Sequence, residues 1–544
     1  MAKVKRYTPK LIRAHVAQGH WTEDYAADFW DRNAAENPDG EALVAGGLRL
    51  TWAEAKARID RLARGLVDQG FNRDDRVVVQ VANRESLLLL RLASEKAGIV
   101  LVFLPETFRA AEIGRIVEIT RPVAAIIQHV NAKGGFVPIY KALGRKLGCP
   151  GSIFTLEGPA PGRGRSLAHL LGAPVGHGGA AADFSSSRFP PFEFAAVVTT
   201  SGTTGLPKCV EHAAAPRLAA GRCYARRLKL TSDDVVAAFL PIFTGNADLM
   251  VYHGVPQVGA KTVLLDRFTP EAALELMERE RLTGAVVVPT LLNRLINFPG
   301  LKDYDVSSMR FFVSFGAPLA RDLGERIEAH FGAAILQAYG IAEFGAITSQ
   351  GVDDPLAARL TTLGKPLDGN EVVVLDESGN PVPPGGTGQI FCRGPYAIGG
   401  YYGDAAATRR IWKNGYFATG DLGRFDAEGY LHLEGRERDL IIRGGQNIHP
   451  KEIEILLTDH PAIREVAVVR MADAEMGERA CAFVIPADGK ALTLPDIAAY
   501  MEARGVARFK IPERLEIIAE MPLNPSGNKI DKKALEATLA SQEE

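Results

Sequence analysis

The chain has 544 residues, 63 Lys and Arg against 65 Asp and Glu for a net charge of −2, and 47% hydrophobic side chains. That length is several times the roughly 150 residues of one domain, so two or more domains around a large buried core are expected. The balanced charge leaves no excess of cations for a nucleic-acid backbone, and no run of ~18 apolar residues offers a membrane span. Five scattered cysteines without a CxxC pair suggest neither a disulfide nor a zinc framework, and the basic first 20 residues lack the apolar centre of a leader peptide. A soluble cytoplasmic protein is expected.

From about residue 50 the pattern alternates. TWAEAKARIDRLARGLVDQG has helical periodicity, DRVVVQVAN reads as a buried strand, RESLLLLRLASEKAG as a helix and IVLVFL as a strand. After a looser stretch over 150–190 come the strand FAAVVTT, a Gly/Thr loop and the helical run EHAAAPRLAAGRCYARRL. KTVLLDRF then precedes the helix TPEAALELMERERL, which Thr269 can cap while Pro270 occupies the first turn. GAVVVP and MRFFVSF continue the strands. Such alternation predicts an α/β fold whose parallel strands are covered on both faces and place ligands at their carboxyl ends.

Around 360 the texture changes. EVVVLDESGNPVPPGGTGQIFCRG divides short β runs with SGNP and PPGG turns, so a small β subdomain is expected over about 360–434. The strands VAVVRM, ACAFVIP and RLEIIAEM and the helices LPDIAAYMEARG and KKALEATLA suffice for a separate α+β domain at the carboxy terminus. The expected organisation is a large N-terminal domain of doubly wound mixed sheets over 1–435 and a smaller α+β domain over 436–544.

The most informative segment is TSGTTGLPK, Thr200 to Lys208, between a strand and a helix. Its glycines permit close backbone approach, its N–H groups and hydroxyls donate hydrogen bonds, and its lysine supplies positive charge, which together make a phosphate cradle. The GxxxxGK[ST] spacing of a Walker loop is absent. A Gly/Ser/Thr loop is also a common connector, so other segments must decide. The same chain carries QAYGIAEFG (337–345), GYFATGDLG (415–423), GRERDLIIRGGQNIHPKEIE (435–454) and NPSGNKIDK (524–532) in that order.

Together these five segments resemble the adenylate-forming superfamily of acyl-CoA synthetases, peptide-synthetase adenylation domains and beetle luciferases, over roughly residues 25 to 535. The resemblance implies ATP, Mg2+ and coenzyme A. Thr200, Ser201, Gly202, Thr203, Thr204, Gly205 and Lys208 match the loop holding the β- and γ-phosphates. Glu343 matches the carboxylate that helps hold Mg2+, and Tyr339 with Gly316, Ala317 and Pro318 matches the adenine site. Asp421 matches the acid on the ribose hydroxyls, Arg436 a second nucleotide contact, and Lys529 the lysine of adenylate formation. The family's smaller domain is mobile about a hinge, here Arg438, and Gly444 and Gly445 match the loop beside the pantetheine tunnel. An Arg at the hinge, Ala342 before the magnesium acid and Cys209 after the phosphate loop depart from the usual pattern.

The acid pocket is expected to involve Phe243, Thr244, Gly245, Asn246, Ser314, Phe315, Ala338, Gly340 and Ile347. Its apolar body suits an aromatic or alicyclic carboxylate, with a medium-chain fatty acid as the alternative. The first half is similar to aryl acid-activating members, although the HNY segment that binds ring hydroxyls in that group is absent. The expected acceptor is coenzyme A, and a separate carrier protein is the alternative. A luciferase-like oxidation and a nucleotide-binding module without activity are further readings. A homodimer is implied only at the level of the family.

Overall fold

The computed structural model describes residues 7–128, 135–149, 151–159, 165–172, 184, 187–200, 208–317, 319–436, 439–443, 446–473, 475–504, 506, 508–523 and 530–543. A large N-terminal domain of mixed sheets is followed by a smaller carboxy-terminal domain.

An eight-stranded sheet runs in the order 400–401, 208–213, 194–200, 100–103, 76–80, 124–127, 152–155, 165–166. All of its pairings are parallel except those of 208–213, which is antiparallel to both its neighbours. The helices Glu85–Ala97, Ala110–Thr120 and Val137–Leu147 cross between its parallel strands. A nine-stranded sheet runs 365–366, 345–349, 334–341, 311–315, 284–287, 235–238, 261–264, 41–45, 48–51. Its central strands are parallel, which requires crossovers such as the helix Pro270–Glu280. Thr269 caps that helix by accepting from the Ala272 N–H at 3.2 Å, and Pro270 takes the first position, where no intrahelical donor is lost.

The stretch after 360 forms an all-antiparallel sheet of the strands Glu371–Leu375, Gly388–Arg393, Tyr416–Phe425, Trp412–Lys413 and Leu431–Arg436. The carboxy-terminal domain has its own sheet, centred on Ile463–Asp473 and Gly477–Pro486. Its two faces bury separate clusters: Ile453, Leu457 and Ile497 lie in one, Phe483, Leu535 and Leu539 in the other. No helix among the described residues is long and apolar enough to cross a membrane.

One element differs from the periodicity. The run from Glu211 does not begin a helix: Lys208–Ala213 is a strand, and the helix starts at Ala214. Tertiary pairing with 194–200 overrides the helical propensity of the Ala-rich segment. Glu343 lies in the turn of a hairpin between Ala334–Ile341 and Gly345–Ser349.

Candidate active site

Lys208 opens the strand that leaves the Gly/Thr loop, with Thr200 as its cross-strand partner, so the two ends of the loop are pinned together. The neighbouring strand Gly400–Tyr401 brings in a phenol. The Tyr401 hydroxyl donates to Glu343 Oε1 at 2.9 Å. Lys208 Nζ stands 4.6 Å from the centroid of the same ring and 3.4 Å from its oxygen. The phosphate-loop cation and the hairpin carboxylate are thus gathered around one side chain from three distant parts of the sequence. Lys208 has no carboxylate partner, and Glu343 Oε2 has no hydrogen-bond partner, among the described residues.

A Mg2+ ion entering with a nucleotide needs only one or two protein carboxylates, because water and phosphate oxygens fill most of its octahedron. Glu343 with one oxygen uncommitted fits that requirement. Among the described residues no group of three or more His, Cys, Asp or Glu forms a dedicated metal cage.

The second constellation centres on Asp421, which is 3% exposed. Its Oδ2 accepts from the Tyr339 hydroxyl at 2.5 Å, and its Oδ1 meets Arg436 Nε at 2.9 Å. Asp421 and Arg436 face each other on adjacent antiparallel strands, which fixes this ion pair by register. A carboxylate has about four acceptor positions, so two remain for sugar hydroxyls. Tyr339 is expected as an adenine platform. Its ring is 8% exposed and packs with Phe344, Ile347 and Ile390, so it belongs mainly to the core and orients Asp421 through its hydroxyl. Burial, followed by the Asp421 charge, pushes its phenol well above the ordinary range, keeping it a donor. Gly316 takes φ +85°, the left-handed turn that ends the strand Phe311–Phe315, and Ala317 beside it is exposed.

The expected acid pocket divides. Phe243 stacks on Phe103 with ring centroids 5.2 Å apart and planes at 6°. Gly245 takes φ +49°, and a β-carbon there would lie 2.3 Å from Cε2 of Phe315. Thr244 turns its hydroxyl to Pro241 O at 2.9 Å, and Asn246 Oδ1 accepts from the Tyr224 hydroxyl at 3.1 Å. Ala338 faces the same core as Phe243, whereas Gly340 is exposed beside the Gly345 carbonyl. Two expected residues turn elsewhere. Side chains alternate along a strand, so Ser314 shares the face of Phe312 rather than that of Val313 and Phe315; its buried hydroxyl has no partner among the described residues. Ile347 is fully buried beneath the small β sheet with Tyr339 and Phe344.

Behind this wall lies a charged network that local sequence patterns do not signal. Arg91 donates to Ile242 O at 3.0 Å and pairs with Asp248 Oδ1 at 2.5 Å, so it grips the segment 243–246 at both ends. Its guanidinium also lies 3.7 Å from the centroid of Tyr252. Arg217 Nε donates to Asp248 Oδ2 at 2.8 Å. Burial alone would raise the Asp248 carboxyl, but Arg217 and Arg91 outweigh it and hold the group well below the ordinary range. His212 and His253 are lowered by burial and stay neutral near pH 7. The helical heptads around Arg91 read only as a buried helix; nothing local announces that Asp248, more than 150 positions on, would meet it.

The expected phosphate contacts Ser201, Gly202, Thr203, Thr204 and Gly205, with Pro318, Arg438, Gly444, Gly445 and Lys529, lie outside the described residues, as does the side chain of Thr200. The residue that sequence reasoning missed is Tyr401. The signal was the GGYYG segment 399–403, where two glycines flank paired tyrosines.

Two family models match the chain: the AMP-binding enzyme family over residues 30–402 and the AMP-binding enzyme C-terminal domain over 452–528. A medium-chain fatty-acid–CoA ligase of Escherichia coli (strain K12) is 32% identical over 526 residues, covering 95% of this chain and 91% of the relative. A 2,3-dihydroxybenzoate-AMP ligase of Bacillus subtilis (strain 168) is 31% identical, covering 99% and 98%. Among solved structures, the amide bond synthetase McbA from Marinactinospora thermotolerans is similar with a TM-score of 0.82 at 29% identity, over 94% of this chain and 99% of that one.

Proposed function

The chain belongs to the AMP-binding enzyme family, and from that premise we propose that it activates an aromatic or alicyclic carboxylic acid and passes the acyl group to coenzyme A. ATP-dependent, AMP-forming ligation of an acid to a thiol goes with the family, as does use of ATP, Mg2+ and coenzyme A. The choice of acid and acceptor is the proposal.

In this reading the substrate carboxylate attacks the α-phosphate of ATP, forming the acyl-adenylate and releasing pyrophosphate. The thiol then attacks the acyl carbon, giving thioester, AMP and a proton. Lys208 and the loop from Thr200 hold the phosphates, and Mg2+, when bound, neutralises phosphate charge beside Glu343. Asp421, held by Tyr339 and Arg436, takes the ribose. Lys529 orients the attack in the first half-reaction. Gly444 and Gly445 line the path of the thiol after the smaller domain turns about Arg438, with the boundary between the domains near 435. A cytoplasmic location also fits, since all five cysteines are buried and none is in a disulfide.

The observation that supports the reading is Lys208 and Glu343 gathered at one side chain, Tyr401, at the end of the Gly/Thr loop, the lysine with no carboxylate partner and the carboxylate with one uncommitted oxygen among the described residues. For the acid, the relatives divide between a fatty-acid ligase and an aryl-acid ligase. The stacked Phe103 and Phe243, with Phe315 against Gly245, favour a flat ring over a flexible chain. The test is acid-dependent release of AMP and pyrophosphate, with and without coenzyme A, across benzoates, cyclohexanecarboxylate and C6 to C12 fatty acids, with mass detection of thioester. Best turnover on a ring acid, with acyl-CoA as product, is expected. Preference for fatty acids would overturn the acid class, and adenylate without acyl-CoA would move the acceptor to a carrier protein.

A further inference from the structure

Tyr401 is clamped from every side except its hydroxyl. Its strand pairs with the strand that begins at Lys208, Tyr401 opposite Val210, and the next N–H, of Tyr402, donates to Cys209 O at 2.8 Å. The Tyr401 N–H donates to Thr408 Oγ1 at 3.0 Å. Gly400 before it takes φ +136° against Thr408, where a β-carbon would meet Thr408 Cγ2 at 2.5 Å, so a side chain there would be strained and would displace Thr408. The ring is 7% exposed and packs with Val210, Ile398 and Ala407. A phenol fixed this firmly cannot follow its partners; its partners must come to it.

The partners carry opposite charge. Lys208 opens a strand and Glu343 lies in a hairpin turn, and among the described residues the two form no ion pair with each other. Directly paired, each would cancel what a metal-bound nucleotide needs from the other: a free cation for phosphate and a free oxygen for the metal. Both meet Tyr401 instead. Its hydroxyl satisfies one oxygen of Glu343, while its ring face and oxygen attract Lys208 without neutralising it.

We infer that Tyr401 is a positioning residue that holds Lys208 and Glu343 apart and pre-aimed, so that metal-bound ATP meets a formed site. The inference rests on the nucleotide-binding reading above.

The test uses the full-length chain and Tyr401→Phe, which keeps the ring and loses the hydroxyl, with Tyr401→Leu as the variant that loses both. Binding is measured by calorimetry without acid, so no turnover occurs, for ATP over a Mg2+ titration and for AMP. Tyr401→Phe should bind ATP about tenfold more weakly at fixed Mg2+, the loss of one hydrogen bond to a charged group, and need more Mg2+ to reach half-saturation. AMP affinity, which calls on neither the γ-phosphate lysine nor the metal acid, should stay within about twofold, and Tyr401→Leu should lose more than Tyr401→Phe. An unchanged Mg2+ dependence in Tyr401→Phe, or an equal loss of AMP binding, would overturn the role. Failure of the wild-type chain to bind ATP at all would instead overturn the reading beneath it.

Discussion

Phe315 rests on Gly245: the ring edge occupies the space that a β-carbon at 245 would need, at 2.3 Å. Phe315 ends one strand of the nine-stranded sheet and Gly245 lies in the connection that follows another, Val235–Ala238, and the contact sets an aromatic surface against bare backbone in the proposed acid pocket. Gly245→Ala must displace the ring and also adopt φ +49°, a conformation that costs a side-chain-bearing residue about 1 kcal/mol. Its kcat/KM for ring acids should fall about tenfold with the KM for ATP unchanged. Phe315→Ala should shift preference the other way, toward longer acids, by about tenfold in the ratio of kcat/KM values. Competition assays with paired acids measure both, and identical selectivity in all three proteins would remove these residues from the pocket.

Asp421 takes one contact on each oxygen, from Tyr339 and Arg436, which leaves an acceptor position on each for the ribose. Asp421→Ala should raise the KM for ATP about tenfold or more, through loss of charged hydrogen bonds to ribose and of Arg436's partner. Tyr339→Phe removes only the donor that orients the carboxylate, so its effect should be smaller and should also fall on ATP rather than on the acid. Initial-rate measurements with each substrate varied distinguish the two; an unchanged KM for ATP in Asp421→Ala would strip it of the ribose role.

Lys529 is assigned to the first half-reaction alone. Lys529→Ala should lose pyrophosphate release from acid and ATP by at least about a hundredfold, as expected of a group acting on the transition-state charge. Thioester formation from supplied acyl-adenylate should remain within about threefold of wild type. Equal loss in both half-reactions would contradict the assignment.

Arg91 ties Ile242 O and Asp248 together behind the acid pocket. Arg91→Met leaves a buried carboxylate with one guanidinium fewer, and stability should drop by about 3–5 kcal/mol in urea unfolding. A loss under about 1 kcal/mol would mean that Arg217 alone satisfies Asp248.

Glu95 accepts from the Tyr252 hydroxyl at 2.9 Å and from the Ala27 N–H at 3.2 Å, and burial pushes its carboxyl from 4.5 up to about 7. Between those values the folded chain holds a proton that the unfolded chain releases, so this group's contribution falls as pH rises through the window. Glu95→Gln does not titrate; its amide keeps one acceptor oxygen and replaces the other with a donor, a loss that adds a pH-independent offset. Its stability relative to wild type should therefore improve from about pH 5 to about pH 8, read from urea midpoints. A difference that stays flat with pH would show that Glu95 titrates normally.

The alternation of strands and crossover helices was readable because each buried strand and each amphipathic helix is a local pattern. Val77 to Val79, Ala285 to Val287 and the Thr269 cap each declare themselves within a few residues. The five motif segments likewise point to a nucleotide site from sequence alone. What escaped was pairing across long intervals. Lys208 and Tyr401 are 193 positions apart, and nothing near either one predicts that adjacent strands will join them. The phase of a strand was equally hidden. Ser314 and Phe315 stand side by side in sequence, yet only the identity of the flanking clusters reveals which of the two turns toward Gly245. The Arg91–Asp248 network is invisible for the same reason, since a charged residue in a helical run reads as solvated until its partner is known.

The carboxy-terminal sheet buries Ile453 on one face and Phe483 on the other among residues of its own domain, and no described core cluster mixes the two domains. Heat should therefore not melt this chain as one object. The smaller part carries a complete, dry interior wherever it goes, so it can change position at the expense of surface contacts alone and can lose its structure while the larger part stands. A nucleotide bound mainly by the larger part would then raise one calorimetric peak and leave the other where it was, making the endotherm a direct reading of which part holds the ligand.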